Sequence, residues 1–228
     1  MKLKITIFLF YILLFDSSAV LCKDASPVLN LPTGGSFLTL NEIINKVEDR
    51  YAVSGFSALF DQVSTLKALE ITDTAQGKVF IKSPGMMRWE YEKPDKQTII
   101  TDGKILWVYR PEDNHVMRGE SPSFLGGGKG ASFLTDMKRV RQEFSITLDK
   151  KNNDDYVLKM LPGKEIIDLS VIYLSISKKT FDVVKIVTHN SYGDETIIKL
   201  SDIKMLQNIE DSKFCFTVPE GIEILKLE

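Results

Sequence analysis

Ile81–Pro111 reads IKSPGMMRWEYEKPDKQTIITDGKILWVYRP, and it places large apolar side chains on alternating positions of consecutive strands. With a period of two, Met87, Trp89 and Tyr91 share one face while Arg88, Glu90 and Glu92 share the other. Beyond the turn at Asp102-Gly103, Ile105, Trp107 and Tyr109 again alternate with their neighbours. Both tryptophans of the 228-residue chain lie in this stretch. An antiparallel sheet covered by a helix would show this pattern, and so would the wall of a lipid-binding cavity.

Outward from this stretch, hairpin turns punctuate nearly the whole chain. Lys93-Pro94-Asp95, Pro111-Glu112-Asp113-Asn114, Asn152-Asn153-Asp154-Asp155, Pro162-Gly163 and Gly193-Asp194 supply residues that tight turns require. The segments between them, the last at 214–217, read as about eleven antiparallel strands. So many strands curl into an unclosed barrel, giving a mainly β, α+β fold.

Two segments depart from the period of two. Thr39 with Glu42 forms a capping-box pattern, and Leu40, Ile43, Ile44, Val47 and Tyr51 follow helical spacing up to Gly55. Residues 119–141 begin with Pro, Ser and Gly and end in a short amphipathic helix with Phe133, Leu134 and Met137 on its apolar side. Gly126, Gly127, Gly128 and Gly130 give its approach the freedom a lid requires. One long and one short helix leave concave apolar sheet to be covered, which favours a ligand cavity.

The N-terminus carries Lys2 and Lys4, a strongly apolar run from Ile5 to Phe15, and then Ser17, Ser18 and Ala19. This is the pattern of a secretory leader cleaved after Ala19, too short to span a bilayer. The expected organisation is a leader at 1–19, a tail at 20–36 and a single domain at 37–228, exported from the cytoplasm. Lys2, Lys4 and Asp16 leave with the leader, so 29 basic and 31 acidic residues become 27 and 30. That balance offers no electrostatic reason to bind nucleic acid. The two cysteines leave three alternatives open: Cys22 free, Cys22 paired with Cys215, or Cys22 lipidated.

Enzyme chemistry is not expected, nor is a cofactor or metal. His115 and His189 have no partner at metal-ligand spacing, and there is no His-Glu-x-x-His motif. Lys129 is followed by Gly130 where a phosphate loop needs Ser or Thr, no Gly-x-Ser-x-Gly elbow occurs, and the acidic turn at 152–155 lacks the rest of a calcium loop.

The pattern P-G-x-x-R-W-E-Y-x-x-P followed by D-G-x-x-L-W-x-Y-x-P resembles the LolA family of periplasmic lipoprotein carriers. Phe56-x-Ala-x-Phe60-x-Gln62 and Phe214-x-Phe216-x-x-Pro219-x-Gly221 extend the resemblance over nearly the whole chain. It implies an unclosed barrel with a helical lid over an apolar cavity that accepts lipoprotein acyl chains. It also implies delivery by a LolCDE-like inner-membrane transporter, transfer to a LolB-like outer-membrane acceptor, and a monomer. Phe60, Val79, Ile81, Met87, Trp89, Tyr91, Trp107 and Tyr109 would line the cavity, with Phe80, Leu106 and Val108 replacing their neighbours if a strand is read one register off. The family's arginine before the proline, which helps hold the lid closed, is Ser83 here, so Lys82, Ser83 and Arg88 are the candidate latch. Met87 replaces the family's aromatic residue and keeps an apolar wall. A LolB-like membrane-anchored acceptor, or a lipoprotein-binding regulator on the same fold, is the alternative reading.

Overall fold

The computed structural model describes residues 38–121, 131, 133–151, 154–164 and 169–227. The leader, the tail with Cys22 and the glycines at 126–130 lie outside the described residues. From Leu38 onward the chain belongs to one compact unit.

Helix α1 spans Leu40–Arg50. Thr39 Oγ1 accepts from the Glu42 N–H, and the Glu42 carboxylate accepts from the Thr39 N–H, so the capping box is complete at both ends. Ile43, Ile44 and Val47 are buried on one side. The helix stops at Arg50, short of the glycine expected to end it. Gly55 instead opens β1 because a Cβ there would stand 2.1 Å from the Ile81 carbonyl oxygen, so the neighbouring strand passes too close for any side chain.

Twelve strands follow: β1 (Gly55–Leu66), β2 (Ile71–Lys82), β3 (Met86–Lys93), β4 (Gln97–Thr101), β5 (Ile105–Arg110), β6 (His115–Glu120), β7 (Phe144–Lys151), β8 (Asp155–Pro162), β9 (Val171–Ser177), β10 (Val183–His189), β11 (Glu195–Leu206) and β12 (Glu223–Lys226). Their order across one sheet is β12-β6-β5-β4-β3-β2-β1-β11-β10-β9-β8-β7. Every pairing is antiparallel except β12 with β6. The two edges, β7 and β12, are not paired with each other, so the sheet is unclosed.

Two expectations about local structure need correction. Phe214-x-Phe216 is not a strand: a 3-10 turn covers Asp211–Phe214, and the last strand is Glu223–Lys226. Phe214 is buried on its own account, so its alternation with Phe216 reflects packing of an irregular segment. The lid is not one helix either. Residues 133–135 form one 3-10 turn, Met137–Arg139 another, and Val140–Glu143 a single α-helical turn.

Candidate functional site

The cross-strand partners in β1–β6 define three rows on one face. Ala58, Val79, Trp89, Ile99, Val108 and Met117 stand opposite one another in succession. Phe56, Ile81, Met87, Thr101, Leu106 and Gly119 form a second row, and Phe60, Gly77, Tyr91 and Gln97 a third. Directly opposed residues share a face of a sheet, so these rows are one continuous surface. On the other side of β1, Leu200 and Ile198 of β11 extend it, followed by Ile186, Leu174 and Leu158 on β10, β9 and β8.

At the centre is Phe60, whose ring meets Trp89 and Tyr91 edge to face, both at 4.9 Å between centroids. Gly77, directly across from Phe60, makes room for it: a Cβ there would stand 3.0 Å from the ring and 1.9 Å from the Glu90 carbonyl oxygen. Phe60, Val79, Ile81, Met87 and Trp89 are all at most 3% exposed. The Trp89 indole Nε1–H is buried and has no acceptor among the described residues. Tyr91 donates its hydroxyl to Gln62 Oε1 at 3.1 Å, and burial pushes its phenol up to about 12.

Six of the expected cavity residues thus come together, and two do not. Trp107 and Tyr109 point to the opposite face, where Trp107 stands across from Ile100 and Tyr109 from Thr98. Their rings pack on Phe216 at 5.5 and 5.4 Å, and the Arg118 guanidinium lies over Trp107. Leu106 and Val108 hold the concave positions instead. The other fallback, Phe80, lies on the outer face under Lys213 Nζ, 4.0 Å from its ring centroid. The cause is the number of residues between paired positions, which the strand pairing fixes. Five residues separate Tyr91 from its partner Gln97, which keeps odd numbers facing inward, whereas four separate Thr101 from Leu106, which moves the inward positions of β5 to even numbers. Phe56, Ala58 and Ile99 join the surface although none was singled out as a candidate.

The four-residue turn is held by its first side chain. Asp102 Oδ1 accepts from the N–H groups of Lys104 and Ile105, both at 2.8 Å, and Thr101 Oγ1 accepts from Gly103 N–H at 2.9 Å. Partial burial raises the Asp102 pKa, but those backbone donors outweigh it and hold the carboxyl below its ordinary range.

Phe133, Leu134 and Met137 are buried in the same apolar cluster as Phe60 and Trp89, with Ala131 and Val140 beside them. These residues therefore cover part of the concave face. Between Leu134, Met137, Phe56 and Ile81 there is a void of about 20 Å³, against the ~300–1,000 Å³ of ordinary ligand pockets.

Of the candidate latch residues, Ser83 lies beside the lid, whereas Lys82 and Arg88 are engaged on the outer face. Lys82 Nζ donates to the Ile209 carbonyl at 2.6 Å and pairs with Asp211; Arg88 pairs with Glu90 and donates to the Lys213 carbonyl at 3.3 Å. Both project from the outer face and pin the C-terminal segment there. Ser83 lines the small void, and its N–H donates to the Ser54 carbonyl at 3.1 Å. One polar tie from the lid region to α1 is made by Arg141, whose Nε is 2.7 Å from Glu48 Oε1 and whose Nη2 also donates to Asn45 Oδ1. At the far end of α1, Arg50 pairs with Asp182 at 2.8 Å, and the Tyr51 hydroxyl accepts from Val183 N–H at 3.0 Å.

Among the described residues no cluster of His, Cys, Asp or Glu could hold a metal, and no helix is long and apolar enough to cross a membrane. Cys215 is exposed and unpaired there.

The family model described as "Outer membrane lipoprotein carrier protein LolA" matches residues 51–217. An outer-membrane lipoprotein carrier protein of Neisseria meningitidis is 28% identical over 172 residues, covering 75% of this chain and 80% of its own. One from Pseudomonas aeruginosa is 24% identical over 201 residues, covering 83% and 94%. Among solved structures, an uncharacterized conserved protein from Thermus thermophilus superposes with a TM-score of 0.51 at 15% identity, covering 82% of this chain and 98% of that one, which shows likeness of fold.

Proposed function

This chain belongs to the LolA family of outer-membrane lipoprotein carrier proteins, and on that premise we propose that its concave apolar face shields the acyl chains of a lipoprotein during transit across the periplasm. The observation that carries the reading is the continuous surface through Phe56, Phe60, Met87 and Trp89, which shares one buried apolar cluster with Ile43, Ile44 and Val47 of α1 and with Phe133, Leu134 and Met137 of the short turns. The part of the cover that is built of short turns can give way to cargo while α1 stays in place.

Energetics favour a reversible exchange. Each buried methylene contributes about 0.8 kcal/mol, so three chains of ~15 methylenes would nominally exceed the ~18–21 kcal/mol ceiling on non-covalent affinity. Displacing Phe133, Leu134 and Met137 from apolar surroundings offsets part of that gain. The net affinity suits a carrier that must release what it binds. A LolCDE-like transporter would load the cargo and a LolB-like acceptor would take it, with the carrier a monomer in the periplasm. The chemistry is binding without covalent change, in keeping with a family of carriers rather than enzymes.

Native mass spectrometry of the protein from a periplasmic fraction tests this. A soluble species carrying an acylated lipoprotein supports the reading; a species devoid of any acylated adduct when cargo is co-expressed overturns it.

A further inference from the structure

We propose that the polar recess at the far end of the concave face is a peptide subsite, which takes the chain segment next to the acylated residue and disfavours a phosphate headgroup; this rests on the carrier reading above. The recess measures about 740 Å³ and is lined by the distal parts of β1–β5 and the turns joining them.

It begins where the apolar rows end. Along β1 the concave positions after Phe60 are Gln62 and Ser64; on β3 and β4 the corresponding positions are Tyr91 and Gln97. Tyr91 belongs to both regions, because its ring packs on Phe60 while its hydroxyl meets the Gln62 carboxamide. An amphiphile whose chains lie against Phe60 and Trp89 therefore crosses from apolar to polar lining at Tyr91, and its polar part falls in the recess.

The lining also distinguishes between kinds of polar part. Three basic and four acidic side chains border the recess, so it has no excess of positive charge. Of its three cations, Arg110 is already engaged, since its Nε donates to Gln97 Oε1 at 2.6 Å and Nη1 lies 3.7 Å from Asp113. Lys93 and Lys96, exposed at the end of β3 and in the turn after it, flank Asp95 and share no hydrogen-bond or ion-pair partner with Arg110 among the described residues. A phosphate diester calls for convergent, uncommitted donors. A peptide presents alternating N–H and C=O groups, which carboxamides and hydroxyls satisfy in both directions. Gln62, Gln97, Ser64 and the Tyr91 hydroxyl are that kind of lining: Gln62 Nε2 donates to Ser64 Oγ at 3.0 Å and the Tyr91 hydroxyl to Gln62 Oε1, neutral bonds that a peptide's own N–H and C=O groups can replace one for one.

Displacement of a fluorescent fatty-acyl probe from the exported protein tests the assignment with three ligands: tripalmitoyl-cysteine amide, the same group extended by an uncharged Ser-Gly-Ser-Ser tail, and dipalmitoyl phosphatidylglycerol. The tailed ligand should bind about tenfold tighter than the untailed one, the gain of one or two net hydrogen bonds, and tighter than the phospholipid. Gln62→Leu and Gln97→Leu should each reduce the ratio of tailed to untailed affinity at least about threefold, with circular dichroism and thermal melting like the wild type's to show that each variant is folded. A tail that brings no advantage, a phospholipid that binds as tightly as the tailed ligand, or variants that weaken both lipopeptides alike would overturn the subsite and leave the carrier reading standing. Failure of all three ligands to displace the probe would overturn both.

Discussion

Trp89 and Trp107 lie on opposite faces of one sheet: Trp89 stands across from Ile99 and Trp107 across from Ile100, adjacent residues of the same strand. The first indole is 3% exposed against Phe60 in the concave cluster, and the second packs on Phe216 beneath the C-terminal segment. The two fluorophores of the chain thus report on different compartments.

That separation gives a direct assay for the face that meets cargo. In a Trp107→Phe variant, titration with an acylated ligand should shift the emission of the remaining Trp89. In a Trp89→Phe variant the emission of Trp107 should stay within noise. A ligand response confined to Trp107 would place the cargo on the wrong side of the sheet. Trp89→Phe loses no Nε1–H hydrogen bond among the described residues, so its cost is that of the space left by the smaller ring.

Phe60 is 1% exposed and contacts both Trp89 and Tyr91. Phe60→Ala should therefore destabilise the fold by about 3–5 kcal/mol, the loss of ring burial together with the cavity left behind. Urea denaturation followed by circular dichroism measures this. A loss below about 1 kcal/mol would mean that the lid collapses into the vacated space.

The pairing of Arg141 with Glu48 and Asn45 joins the turn after the lid to α1. These side chains are partly exposed, so Arg141→Ala should cost about 1 kcal/mol or less in global stability. Its larger effect should be local. Amide hydrogen exchange across residues 133–140 should accelerate while the β1–β2 amides keep their protection, and equal acceleration in both would show that the pair supports the whole fold instead.

Asp102 carries the pH dependence of the β4–β5 turn. Its folded-state pKa is depressed, so its charge stabilises the fold above its unfolded value near 4, and that contribution is lost as pH falls through the lower folded value. Asp102→Asn keeps an acceptor but not the charge. Its Tm should lie below that of the wild type at pH 7, and the gap should narrow at pH 3. A gap that is constant from pH 7 to pH 3 would assign the effect to geometry alone.

Local chemistry in the sequence determined the capping box on α1, the alternation in β1–β3, the turn at Asp102-Gly103 and the apolar character of Phe133, Leu134 and Met137. Each depends on residues a few positions apart, where backbone periodicity and side-chain reach decide the outcome. The resemblance to lipoprotein carriers was legible because it is written in those same local patterns. Only the tertiary structure decided which face of β5 turns inward, since that depends on turn lengths accumulated from strand to strand, and a register step exchanges Trp107 for Val108. It also decided the partners of Lys82 and Arg88. Both basic side chains are met by carbonyls and carboxylates of residues 209–213 and of Glu90 on the outer face, while a tie to α1 is made by Arg141. Charges find partners by proximity in the folded chain, and no spacing in the sequence encodes which of several distant acceptors will be nearest.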